Sequence, residues 1–100
     1  MADHPALPDD VELVRVTDEF DESTVPRGLR RAHRVARGVW GVLVVRDGSL
    51  RFVWEDASGT RVLMAGDRQV IPPETPHRVE VMGPVRFVVE FHRPMGTVAP

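Results

Sequence analysis

The run Gly38-Val-Trp-Gly-Val-Leu-Val-Val45, followed by Arg46-Asp-Gly-Ser49 and Leu50-Arg-Phe-Val-Trp54, commits this chain to a β architecture. Two segments dense in β-branched and aromatic residues flank an Asp-Gly pair, a combination that favours a type I′ hairpin turn. Counting outward from that turn places Val45 beside Leu50, Leu43 beside Phe52 and Gly41 beside Trp54 on one face, the core face. The opposite face carries Val42, Val44 and Val53 beside Trp40, an apolar strip that predicts a homodimer surface. The remaining text keeps the same rhythm. A first strand is expected over 11–16 and others over 61–65, 69–71, 77–82 and 85–92, the last two joined at Gly83-Pro84. Residues 18–28 read as a long connection with room for one helical turn near 19–23, and 29–35 alternates only weakly. No stretch sustains a 3.6-residue period, so seven or eight short strands predict a sandwich or a barrel.

Length and charge narrow the function. One hundred residues with 42% hydrophobic content support one modest core, read here as a domain over 11–93 between tails at 1–10 and 94–100. Fifteen acids and thirteen arginines are spread along the chain for a net charge of −2, which offers no basic face to a nucleic acid. Neither a secretory leader nor a membrane-length apolar run is present, so a cytoplasmic protein with no membrane partner is expected. The absence of lysine excludes Schiff-base chemistry, and the absence of cysteine excludes thiolate metal sites. Any metal must therefore use imidazole, carboxylate and water, and the four histidines are 4, 33, 77 and 92.

His77 is the best placed of them. Prolines at 72, 73 and 76 stiffen the chain before it, and the alternation with Val79 and Val81 turns its ring to the buried face. A buried imidazole needs a partner, and a metal, a bound ligand or a backbone carbonyl can serve.

Gly66-x5-Pro72 followed by Pro76-His77 resembles the second motif of the cupins, in which a glycine turn and a proline loop deliver a metal histidine. More narrowly, Val25-Pro-Arg-Gly-Leu29, His33, Gly38 to Val45, Gly48-Ser-Leu-Arg51, Pro72-Pro73, His77 and Val85-Arg-Phe-Val-Val-Glu-Phe91 resemble the small TehB/YeaR-like cupins. The likeness extends over about residues 11–93. It implies an all-β jelly roll, or double-stranded β-helix, with a metal site in its mouth, in a family named after a tellurite-resistance protein. The first cupin motif departs from the standard pattern. Counted back from Gly48, the position of its glutamate is Gly41, and of its histidines only His33 remains.

The resemblance implies one divalent metal, Zn, Fe, Mn or Ni, held by His33, His77 and Glu90 with water. Each has a plainer reading. His77 can be a core histidine bonded to a carbonyl, and His33 a half-exposed residue among arginines. Glu90 alternates with Phe87, Val89 and Phe91, so parity sends it outward to pair with an arginine. Glu80 and His92 are weaker candidates, the first off the His77 face and the second close to the tail. Trp40 and Trp54 read as packing, and Arg30, Arg31, Arg34 and Arg37 as solvated charge, although such a cluster can bind an oxyanion. The expected function is binding of a metal and a small polar or oxyanion ligand at the mouth, linked to oxyanion stress. The alternatives are a non-catalytic sensor and a structural dimer with a vestigial site. Whether the protein is an enzyme stays open at this level.

Overall fold

A computed structural model describes residues 6–30, 35–56 and 59–95. Among these, six strands form one antiparallel system: β1 (Val11–Val16), β2 (Phe20–Asp21), β3 (Trp40–Trp54), β4 (Thr60–Met64), β5 (Arg68–Ile71) and β6 (His77–Pro94). A single turn of 3₁₀ helix covers Arg27–Arg30. No helix among the described residues is long and apolar enough to cross a bilayer.

The hairpin expected at Asp47-Gly48 is not formed. β3 runs through it for 15 residues, and β6 likewise runs through Gly83-Pro84. The two long strands pair with each other from Trp40 opposite His92 to Trp54 opposite His77. What the glycines provide is a bend. Between Val45 and Asp47, β3 holds one residue more than β6; between Gly48 and Leu50 the excess passes to β6, with Met82, Gly83 and Pro84 opposite Ser49. Irregularities of this kind bend a ribbon and increase its twist. One arm of the bent ribbon is flanked by β5 and β1, the other by β4.

The backbone groups freed at the bend find other partners, as buried amides and carbonyls must. Val45 donates to Asp67 O (3.1 Å) and accepts from Gly66 N (2.9 Å). Val85 N, opposite Gly48, donates to the Glu22 carboxylate at 3.1 Å.

The inward faces expected along 43–52 are correct even though the pairing is not. Leu43, Val45, Leu50 and Phe52 are buried in one cluster with Val25, Val35, Leu63, Ile71, Val79, Val85, Phe87 and Val89. Trp54, expected against Gly41, lies opposite His77 and packs edge-on to Phe52, with ring centroids 4.7 Å apart. The outer strip also differs from expectation. Arg68 on β5 and Glu90 on β6 form an ion pair of 2.8 Å across β3, beside whose pairing partners Val44 and Val42 they stand. This lid accounts for the complete burial of Val42, and Val53 is buried as well.

Three carboxylates, Asp21, Glu80 and Glu90, couple this fold to pH. The backbone N–H of Ser23 is the largest influence holding Asp21 below the usual carboxylate range, outweighing desolvation, with Thr24 and the charge of Arg86 adding to it. The Arg78 guanidinium does the same for Glu80, desolvation opposing it and Arg51 assisting. A folded-state pKa below the unfolded value stabilises the fold above the unfolded pKa, and that contribution is lost as pH falls through the folded value. Melting temperature should therefore be level from neutrality to about pH 5 and fall below about pH 4. Thermal scans across that interval check the sign, and a melting temperature that rises on acidification contradicts it.

Candidate ligand site at the barrel mouth

Bending carries both ends of the long ribbon to one opening. A cavity of about 170 Å³ there is lined by Leu43, Ile71, Val89 and Phe91 from one arm and His77 from the other. Thr17, Phe20, Pro26, Gly28, Leu29 and Val35 close it. His77 is the one titratable side chain among these lining residues.

His77 is held on three sides. Its ring stacks on Phe52, with centroids 5.3 Å apart and planes at 14°, and only 1% of the residue is exposed. Nδ1 lies 2.9 Å from Thr75 O. A carbonyl oxygen only accepts, so Nδ1 carries the proton in this bond, and in the neutral ring Nε2 keeps the lone pair. The proline loop fixes that carbonyl. Glu55 N donates to Pro76 O and Glu74 N donates to Val35 O, each at 3.0 Å. Glu74, with φ of 58°, is the one non-glycine residue of positive φ among the described residues. Held backbone of this kind concentrates at functional sites.

The other described candidates lie elsewhere. Glu90 faces outward, as parity predicts, and bonds to Arg68 (2.8 Å) and to His92 Nε2 (3.1 Å). Burial raises its pKa, but the bonds from Arg68 and His92 prevail and hold it below the usual range. It does not line the His77 cavity. Glu80 is taken by Arg78 and Arg51. His92, expected near a loose end, is buried because β1 pairs over it at Leu13. His33 lies outside the described residues, between Leu29 and Val35, both of which line the cavity. His4, Arg31 and Arg34 also lie outside them.

Of the metal-ligand set that the cupin resemblance implies, His77 and Glu90 fall among the described residues, and Glu90 stands apart from the His77 cavity. No group of three or more histidine, aspartate or glutamate side chains among the described residues could hold an ion. At position 41, where the standard motif has glutamate, a Cβ would stand 3.3 Å from Val35 Cγ2 and 3.5 Å from Ile71 Cβ, so apolar side chains adjoin it. Sequence reasoning found His77 by its alternation but missed the apolar character of its surroundings, which come from several separate segments.

An all-β barrel of bent ribbons with a histidine at its mouth is a cupin-fold protein. A cupin-2 domain protein from Shewanella frigidimarina has a TM-score of 0.53 at 22% identity, over 89% of this chain and 74% of that one. Residues 15–89 match the family described as the TehB-like domain, and the chain belongs to that family. A protein from E. coli strain K12 has a TM-score of 0.83 at 21% identity, covering 96% of this chain and 94% of its own. TehB from Haemophilus influenzae has a TM-score of 0.78 at 18% identity, over 86% of this chain but 32% of that one. At these identities the likeness establishes the fold alone. No curated protein matches the sequence.

Proposed function

We propose that this domain binds a small organic ligand in the mouth cavity, with the ligand's apolar body against Leu43, Ile71, Val89 and Phe91 and one polar group at His77. The carrying observation is one buried imidazole, bonded through Nδ1 to Thr75 O, whose described companions in the cavity wall are apolar except Thr17. Such sites take their affinity from the wall and their orientation from the few polar groups. The cavity is of the size that holds a benzene ring, about 150 Å³. Among the described lining residues Thr17 and His77 alone bring polar side chains, an arrangement suited to binding.

The test is titration with benzamide, followed by methyl NMR. Shifts should concentrate on Leu43, Val35 and Ile71, and a Val89→Phe variant that fills the cavity should lose them while keeping the fold. Silence of these methyls at millimolar benzamide overturns the reading. Stoichiometric zinc or iron in the purified protein, lost in His77→Ala, would instead support the metal-binding alternative that His33 and His77 suggest.

A further inference from the structure

We infer that the ligand of this mouth carries, besides the polar group at His77, a carboxylate whose charge is received by Arg15 and Arg93 at the rim; the inference rests on the cavity reading above. The inward row of β6 runs Phe87, Val89, Phe91, Arg93, apolar at depth and cationic where the strand leaves the barrel. β1 places Arg15 opposite Phe91, just after the irregularity between Leu13 and Arg15. Val14, Arg15, Val35, Ala36, Val39, Phe91 and Arg93 together line a groove of about 430 Å³. Phe91 and Val35 line both this groove and the His77 cavity, so one ligand can touch both.

Seven of the eleven described arginines form no ion pair among the described residues, and Arg15 and Arg93 are the two of them that line this groove. Arg46, Arg51, Arg68 and Arg78 each form an ion pair with a glutamate. Among the described residues neither Arg15 nor Arg93 has one, although Glu12 stands opposite Arg93 in register. No acid is among the described residues that line the groove. Arg93 also lines the adjoining groove together with Arg37, which likewise forms no ion pair among the described residues. Unpaired guanidinium groups beside an apolar floor suit a planar carboxylate on a compact apolar body, since the fork of donors matches both oxygens. The net charge of −2 works against general attraction of anions, so the selectivity must be local.

The experiment compares 4-hydroxybenzoate with 4-hydroxybenzamide, which offer His77 the same hydroxyl, have nearly the same shape and differ in charge at the other end. Dissociation constants are measured by NMR at low and high salt for the wild type, the Arg15→Gln/Arg93→Gln double variant and Val89→Phe. The wild type should prefer the carboxylate by about tenfold or more, the scale of a hydrogen bond to a charged group. The preference should shrink with salt and vanish in the double variant. Equal binding of the two compounds by the wild type, or a preference that survives in the double variant, overturns the carboxylate assignment and leaves the cavity reading intact. Failure of both compounds to bind the wild type overturns the cavity reading and this inference with it.

Discussion

Replacing Gly48 by alanine should destabilise the protein severely, whereas the same change at Gly38 should be mild. Both glycines have positive φ, 73° at Gly48 and 74° at Gly38. Each substitution therefore places an L residue in the left-handed region, at about 1–3 kcal/mol. The surroundings separate them. A Cβ at Gly38 meets no atom within 4 Å, but at Gly48 it would collide with the backbone carbonyl of Pro84 and the Cα of Val85. Backbone in the middle of a paired ribbon cannot swing aside as a side chain can. Overpacking adds about 1–3 kcal/mol, and the sum takes a large part of the roughly 5–15 kcal/mol that holds a small domain together. Urea unfolding of both variants decides the matter. Equal midpoints would mean that the ribbon is not bent at Gly48 against Pro84.

Removing the Phe52 ring should cost about 3–5 kcal/mol in Phe52→Ala, the range for deleting a buried aromatic side chain. Phe52 is fully buried and joins two parts of the site. It stacks on His77 and receives Trp54 edge-on, contacts that add to its area of burial. The energetic loss should come with a local signature. In Phe52→Leu, which keeps much of the volume, the fold should persist while the His77 ring resonances move or broaden, because the imidazole loses one face of its packing. A large loss of stability in Phe52→Ala with unaltered His77 resonances in Phe52→Leu would separate the core from the site and contradict the packing described.

The sequence showed faces better than partners. Leu43, Val45, Leu50 and Phe52 were assigned to the core because alternation is local to each arm, and the bend preserves which face is inward. The Asp-Gly pair marked the point where the chain turns from a straight course, yet a positive φ serves a bend in a continuing strand as readily as a hairpin. The choice between them lies in β6, some 40 residues away, which pairs with both arms at once. His77 was legible for the same local reason, its alternation with Val79, and its burial follows. Parity also sent Glu90 outward, where Arg68 meets it. His92 was misjudged because the order of the final strand depends on β1, at the other end of the sequence. The cavity was not legible at all. Thr17, Leu29, Val35, Ile71, His77 and Phe91 converge only after folding, and nothing distinguished Arg15 and Arg93 from eleven other arginines until the groove that they line was known.

The most direct test of the site is the long-range proton–nitrogen NMR spectrum of His77, recorded with and without benzamide. The structure predicts a protonated, pyrrole-type Nδ1 bonded to Thr75 O and a pyridine-type Nε2 whose resonance moves as the compound fills the cavity. A neutral His77 with its proton on Nε2, or nitrogen resonances that stay fixed while benzamide saturates the protein, would contradict a ligand site built on this imidazole.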